Sequence, residues 1–208
     1  MNPQQVLNEV ASQCAICELC ELHHSRKLAV PGEGPADAEI LFIGEGPGFH
    51  ENEQGRPFVG AAGSFLDELL ASIDLSREQV FITNVVKCRP PGNRDPEPEE
   101  LQACSPYLER QIAAINPKVI VTLGRFSMAR FLPSAKISQI HGRPSKLDGR
   151  LIVPMYHPAA ALHQPSLRSV VEGDFAALPG IITGSGQLPE PVSSEPARNQ
   201  DPEQLSLF

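Results

Sequence analysis

The alternation of short apolar runs with helical stripes most constrains how this chain of 208 residues can fold. The runs are residues 40–43, 80–86, 119–123 and 151–153. Each run is apolar at nearly every position, as expected of a strand that is covered on both faces. Between the runs lie two stripes of apolar side chains at helical spacing, which are Phe65, Leu66, Leu69, Leu70 and Ile73, and Leu101, Cys104, Leu108, Ile112 and Ile115. Strands that alternate with helices predict an α/β fold in which a parallel sheet has helices on both faces.

Length and composition predict one folded domain followed by a tail. With 208 residues, of which 41% are hydrophobic, the chain is long enough for one core but short for two. From Leu188 onward, Pro, Ser, Glu and Gln dominate without periodicity. We therefore expect a folded domain over residues 1–180 and a disordered acidic tail over residues 181–208.

The N-terminus and the hydropathy pattern predict a soluble, cytoplasmic protein without a membrane partner. The first residues carry no basic segment followed by an apolar run, which a secretory signal would need. No stretch approaches the roughly 18 continuous apolar residues of a membrane helix. We expect the protein to act as a monomer.

The net charge of −8 argues, by itself, against a nucleic-acid partner, because contacts with phosphates need clustered Lys and Arg. Its distribution along the chain is less unfavourable. Beyond Gly186 the tail has four acidic residues and one arginine, a net charge of −3, which leaves −5 on the rest. Five basic residues in loop-like segments are candidates for a local basic rim, namely Lys87, Arg89, Arg94, Arg143 and Lys146.

The spacing of the five cysteines predicts a metal site. Cys14, Cys17 and Cys20 fall within seven residues, and Cys88 and Cys104 come much later. In a chain without a secretory signal, such clustering favours metal binding over disulfides. Spacing alone does not distinguish zinc from an iron–sulfur cluster. The alternative is that Cys88 and Cys104 are ordinary buried thiols, since Cys104 belongs to an apolar helical stripe.

The predicted sheet also indicates where a ligand would bind, because ligands of such folds lie beyond the carboxyl ends of the strands. The segments at those ends are residues 44–48, 84–89, 124–125 and 157–158. The first of them is a glycine-rich loop, which often binds phosphate, but it lacks the Lys-Ser/Thr ending of a P-loop and the dinucleotide fingerprint.

Three side chains in or near these segments could take part in binding or catalysis. Glu45 would repel a phosphate but could orient a water or stabilise a cation. Phe58 could stack on a flat ligand, although core packing is the more common role of a Phe. His157 could donate a hydrogen bond to an oxygen that gains charge during bond cleavage, although a lone His is usually structural or exposed.

Taken together, four motifs resemble the family 4 uracil-DNA glycosylases, the iron–sulfur branch of that superfamily. The motifs are residues 44–48, 55–60, 83–91 and 157–158, and the similarity runs in order from about Cys14 to Leu162. The resemblance implies a three-layer α/β/α sandwich on a short, mostly parallel sheet. It also implies a [4Fe-4S] cluster bound by four of the cysteines, with Cys20 as the spare thiol; the four are Cys14, Cys17, Cys88 and Cys104.

By the same resemblance, the protein is a single-function glycosylase of base excision repair that hydrolyses the N-glycosidic bond of uracil in DNA. Phe58 would stack on a uracil flipped out of the helix, and Asn84 would pair with its polar edge. The backbone near Gly46 would contact the base. His157 would hydrogen-bond uracil O2, while Glu45 would position water and stabilise the cationic sugar. The products would be free uracil and an abasic site.

The chain departs from the family pattern at two places. Family members often continue the glycine-rich motif with several acidic residues, whereas this chain has Phe49-His50-Glu51 and keeps only Glu51 of that run. The position that usually carries a bulky wedge corresponds to Ala161, followed by Leu162. A small wedge should hold the flipped state less well.

The last five residues resemble the motif with which bacterial repair proteins bind the β sliding clamp. Their apolar members follow a polar segment where they have no core to join, and the residues are Gln204, Leu205, Ser206, Leu207 and Phe208. A short peptide of this kind can place Leu and Phe anchors in an apolar groove.

Two alternatives to an enzyme remain at the level of sequence. The first is a non-catalytic DNA lesion-binding protein that keeps the fold and the cluster. Glu45 and His157 argue against it, because a protein that only binds would not need both. The second is a zinc-stabilised nucleotide-binding module that uses the glycine-rich loop, and iron content would exclude it.

Overall fold

The computed structural model describes residues 2–184, which form eight α-helices and five strands. The strands are β1 (Ile40–Gly44), β2 (Phe81–Asn84), β3 (Val119–Leu123), β4 (Ser145–Leu147) and β5 (Arg150–Met155). The helices are α1 (Pro3–Ile16), α2 (Phe49–Gln54), α3 (Ala61–Ala71), α4 (Pro98–Ile115), α5 (Arg125–Ala129), α6 (Ile137–Ile140), α7 (Pro158–His163) and α8 (Arg168–Thr183). None of the helices within residues 2–184 is long and apolar enough to cross a membrane.

The five strands form one sheet in the order β2-β1-β3-β5-β4. The first four are parallel, and only β4 runs antiparallel to its neighbour β5. Gly44 at the end of β1 lies opposite Asn84 at the end of β2, and Leu123 lies opposite Met155. The carboxyl ends of the four parallel strands therefore meet at one edge of the sheet.

Two apolar clusters cover the two faces of the sheet. On one face, Phe42 and Val121 pack with side chains of α3 and α8 such as Leu66 and Phe175. On the other face, side chains of the same strands pack with α1 and α4, and these are Leu7, Leu41, Ile43, Leu108, Ile115 and Ile120. This arrangement confirms the predicted three-layer α/β/α sandwich with a short, mostly parallel sheet.

Both predicted apolar stripes lie on helices, except that Ile73 follows the end of α3, and all four predicted strands are present, with β3 at its predicted bounds. Strand β2 is shorter than the apolar run of residues 80–86, while β5 extends through Pro154 to Met155. The sequence pattern did not indicate β4, because one of its three residues is partly buried, the other two are exposed, and they carry no apolar repeat. Residues 185–208 lie outside the described part of the chain, so the acidic tail stays a prediction. The last helix ends at Thr183.

Candidate active site

The loops at the carboxyl edge of the sheet bring Phe58 and Asn84 against Gly44 and His157 against Phe58, and Glu45 follows Gly44 in the chain. The chain that follows β1 and the chain that follows β2 continue side by side, because the backbone N–H of Val86 donates to the carbonyl of Glu45 at 3.2 Å. All four side chains are at least 94% buried. The structure therefore places residues that are far apart in sequence at one edge of the sheet, which the edge rule predicted for Glu45, Asn84 and His157 but not for Phe58.

Gly44 makes this grouping possible because it has no side chain. A Cβ atom at this position would lie 2.7 Å from Cζ of Phe58 and would overlap Oδ1 of Asn84. The Phe58 ring and the Asn84 amide can therefore approach the end of β1 only if residue 44 is glycine.

Phe58 is held in an unusual backbone conformation. Its φ is +52°, in the left-handed region that β-carbon-bearing residues rarely adopt. Arg77 stabilises this loop, since one guanidinium nitrogen donates to the carbonyls of Pro57 at 2.7 Å and Phe58 at 2.8 Å. A Cβ atom on Gly63, in the first turn of α3, would overlap the Phe58 carbonyl. Sequence reasoning did not identify Arg77 or Gly63 as supports of the site.

The side-chain oxygen of Asn84 is unpaired. Asn84 is only 1% exposed, and its Oδ1 has no hydrogen-bond partner within the described residues. A buried amide oxygen without a partner is costly, so such groups are concentrated at sites that bind a ligand. Asn84 can thus accept a hydrogen bond from a ligand that enters beside Phe58.

His157 is neutral and oriented by its own helix. It caps the N-terminus of α7, where its Nδ1 accepts a hydrogen bond from the backbone N–H of Ala159 at 3.1 Å. In a neutral imidazole with an accepting Nδ1, the proton resides on Nε2. Burial lowers the pKa of His157 to about 4, which keeps the ring neutral at physiological pH.

The ring of His157 also lies against that of Phe58. Their centroids are 5.4 Å apart, and the planes are inclined by 23°. The Nε2–H donor of His157 and the flat face of Phe58 thus belong to one site.

Glu45 follows β1, and its buried carboxyl group lies against the beginning of α5. The backbone N–H of Phe126 donates to its Oε1 at 3.4 Å, and a Cβ atom on Gly124 would overlap that oxygen. Burial raises the pKa of Glu45 to about 7, although hydrogen bonding by Phe126 and the charge of Arg125 partly oppose the effect. Glu45 and Gly46 line a cleft of about 220 Å³ together with Pro47, Pro90, Asn93, Arg94 and Pro96.

The prediction that Lys87 belongs to a basic rim is wrong, because its side chain is directed inward and is only 1% exposed. Its ammonium donates to the Thr83 hydroxyl at 2.6 Å, the Gln111 side-chain oxygen at 2.7 Å and the Asn84 carbonyl at 2.9 Å. Its backbone N–H donates to Sγ of Cys104 at 3.2 Å. Lys87 therefore connects the backbone of Asn84 to the cysteines.

The other four basic residues have different environments. Arg94 forms a bidentate ion pair with the buried Glu100. Arg89 is partly buried and donates to Asn93, whereas Arg143 and Lys146 are exposed. Arg89, Arg143 and Lys146 are the members of the predicted rim whose charge has no carboxylate partner among the ion pairs of the described residues.

All five cysteines line one cavity between the end of α1, the turn after β2, and α4. The space, including its opening to solvent, is about 330 Å³. Within residues 2–184, no three His, Cys, Asp or Glu side chains are arranged to hold a single metal ion. The cysteines are free thiols, and burial raises the pKa of Cys14 and Cys104 to about 12.

Helix α7 distinguishes the two residues at the position where the family pattern carries a wedge. Ala161 is 5% exposed and packs in the larger apolar cluster, whereas Leu162 is 41% exposed. Of these two side chains, only that of Leu162 is accessible to a macromolecule. The predicted clamp-binding residues, 204–208, lie outside the described residues.

The sequence is similar to those of known proteins. Residues 31–175 match the model of the uracil DNA glycosylase superfamily. The chain is 50% identical to the type-4 uracil-DNA glycosylase of Saccharolobus solfataricus over 81% of this chain and 83% of the relative. It is 49% identical to that of Sulfurisphaera tokodaii, over 81% of both chains, and 47% identical to that of Archaeoglobus fulgidus, over 87% of this chain and 95% of the relative. The chain belongs to the type-4 group of the uracil-DNA glycosylase superfamily.

Proposed function

We propose that this protein flips uracil out of DNA and hydrolyses its N-glycosidic bond, which leaves free uracil and an abasic site for base excision repair. The observation that carries this proposal is the unpaired, buried Oδ1 of Asn84 beside the ring of Phe58 and the neutral His157. These groups match a flat base that offers a donor and two acceptors on its edge.

Base recognition would rest on Phe58 and Asn84. The Phe58 ring provides a stacking surface, and the Asn84 amide can accept from uracil N3–H while it donates to O4. Cytosine presents the reverse pattern and would leave both groups of Asn84 unsatisfied. The backbone near Gly46, in the adjoining cleft, would contact the base.

Bond cleavage would place negative charge on the uracil and positive charge on the sugar. His157 Nε2–H would donate to O2 as that oxygen gains charge, and a neutral donor avoids the cost of a buried cation. Glu45, once ionised, would position the attacking water and stabilise the cationic sugar. Hydrolysis by water needs no amine nucleophile, so we expect a single-function glycosylase without strand cleavage.

We also propose that Cys14, Cys17, Cys88 and Cys104 bind a [4Fe-4S] cluster, with Cys20 as the spare thiol. The cavity fits this group because five thiols line it and two N–H donors reach sulfur, one from Lys87 to Cys104 and one from Arg26 to Cys88 at 3.6 Å. The four cysteines would hold the cluster as thiolates and would thereby cross-link α1, the turn after β2, and α4.

Leu162 is our candidate for the wedge that fills the space left by the flipped nucleotide, because it is exposed on the helix that His157 begins. The further expectations are action as a monomer in the cytoplasm, where bacterial DNA is found, and attachment to the β sliding clamp through residues 204–208.

The experiment measures the release of uracil from an oligonucleotide that contains one uracil, by protein purified in the absence of oxygen. Cleavage of the oligonucleotide strand is measured before and after treatment with alkali. We expect uracil release and strand cleavage that requires alkali. Asn84→Ala and His157→Ala should each lower kcat/KM by about 100-fold to 1,000-fold while the iron content and visible absorbance stay the same. Cys88→Ala should lose iron and lower the Tm.

His24→Ala is the matched control, since this His is exposed and its ion contact is with Glu21 of its own helical turn. It should retain full activity. If folded, iron-containing protein released no uracil, the protein would instead be the non-catalytic lesion-binding alternative. Unchanged turnover in both active-site variants would disprove the assigned residues.

A further inference from the structure

Phe49, which is exposed, and Arg89, which is partly buried, form a pair that has no role in the steps described above. Phe49 is the first residue of α2, directly after the glycine-rich loop, and 52% of its surface is exposed. The guanidinium carbon of Arg89 lies 5.3 Å from the centre of the Phe49 ring. The edge of the His50 ring packs against the same ring, with a centroid distance of 5.5 Å and an angle of 82°.

The backbone around this pair is tied to the two segments that bind the base. Arg89 follows the β2 end that carries Asn84, and this segment is hydrogen-bonded to the loop after β1. On the other side, Oε1 of Glu51 in α2 accepts from the backbone N–H groups of Val59 at 2.9 Å and Gly60 at 3.1 Å. The Phe49 ring is therefore held next to the site by the chain segments of Asn84 and Phe58.

The chemistry of the pair suits one kind of ligand. An exposed aromatic ring with a neighbouring guanidinium is the combination with which proteins bind unpaired nucleotides, because the ring stacks on a base and the cation attracts the phosphate. Arg89 alone does not shield the ring, which remains about half exposed. Shielding of an apolar side chain from water is therefore an incomplete explanation of the contact.

We propose that Phe49, supported by Arg89, is a platform on which a base next to the flipped uracil stacks. This inference rests on the proposed function, because the DNA must already be bound at the site. A base can leave its helical stack for this platform most easily when it is unpaired. The platform therefore favours uracil in single-stranded DNA over uracil in a duplex.

The kinetic test compares Phe49→Ala with the full-length parent protein on single-stranded and duplex oligonucleotides that contain one uracil. One lost base stack corresponds to about a fivefold or larger increase in KM on the single strand. The loss should fall on KM and not on kcat, and it should be smaller on the duplex. Inhibition by free uracil should not change, because the base pocket is intact.

Three further variants separate stacking from bulk. Phe49→Tyr keeps the ring and should restore KM, whereas Phe49→Leu keeps apolar volume and should not. Leu28→Ala is the matched control, since Leu28 is also an exposed apolar residue, at 44%, that lies beside the other end of α2. It should leave KM unchanged.

Phe49→Trp gives an independent signal because the chain contains no tryptophan. A uracil-free single-stranded oligonucleotide should quench the fluorescence of this variant, and inorganic polyphosphate should not. Equal quenching by the oligonucleotide and by polyphosphate would overturn the platform, and so would a KM of Phe49→Ala equal to that of Leu28→Ala. Uracil release by the parent protein would still support the proposed function in either case.

Discussion

At the scale of single residues, burial shifts the pKa values of the two candidate catalytic groups in opposite directions. Burial disfavours a charged form, so it raises the pKa of Glu45 to about 7 and lowers that of His157 to about 4. The result is a neutral imidazole and a partly ionised carboxyl group at neutral pH. These are the states required by a donor to uracil O2 and by a group that stabilises a cation.

The two shifts predict the pH dependence of excision. Glu45 must lose its proton to act, so log kcat/KM should rise with pH below about 7 and level off above it. His157 is already neutral throughout this range, since its pKa is about 4, and it should add no step near 6.5, the ordinary value for histidine. The measurement is kcat/KM for uracil release between pH 5 and 9.

Glu45→Gln provides the control for this profile, because glutamine has a similar shape and does not ionise. Its excision should be slow and nearly independent of pH. A rise near pH 7 that persists in Glu45→Gln would assign the titration to another group and would contradict this role of Glu45.

At the scale of elements, the start of α3 determines where Phe58 lies. Gly63→Ala should destabilise the protein by about 1–3 kcal/mol and should raise KM for uracil DNA, because the new Cβ overlaps the Phe58 carbonyl. Thermal unfolding and excision kinetics measure the two effects.

Gly173→Ala is the matched substitution in α8. A Cβ atom at Gly173 has no heavy atom within 4 Å outside its own helix backbone and its neighbours in the chain. Replacing this exposed helical glycine should stabilise the protein by about 0.5–1 kcal/mol and leave KM unchanged. Equal effects of the two substitutions would mean that close packing on Phe58 does not set the position of its ring.

At the scale of the whole molecule, the sequence pattern is sufficient to predict the three layers and the edge of the sheet that carries the site. Buried parallel strands have continuous apolar runs, and helices that cover them have one apolar stripe, so each kind of element has a distinct signature. The edge rule then placed Glu45, Asn84 and His157 together before any contact was known. Family resemblance, and not periodicity, supplied their roles.

Other features depend on contacts that a sequence pattern does not contain. Lys87 occurs in a polar, loop-like segment, yet three oxygen atoms satisfy its ammonium inside the protein. Ala161 and Leu162 are neighbours in α7, and only the rotation of the helix against the core decides which is exposed. Short β4 depends on pairing with β5, since its own residues have no strand signal.

The C-terminal peptide gives a prediction that concerns the whole protein and not its catalytic site. Deletion of residues 204–208 should leave excision on free oligonucleotides unchanged, because Glu45, Asn84 and His157 all lie in the folded domain. It should abolish binding to a bacterial β sliding clamp, which needs apolar anchors such as Leu207 and Phe208. Fluorescence anisotropy of labelled full-length and truncated chains, titrated with clamp, measures the difference. Ser206→Ala is the control, because it keeps the Leu and Phe anchors and should still bind the clamp. Clamp binding that survives the deletion would show that another surface makes the contact.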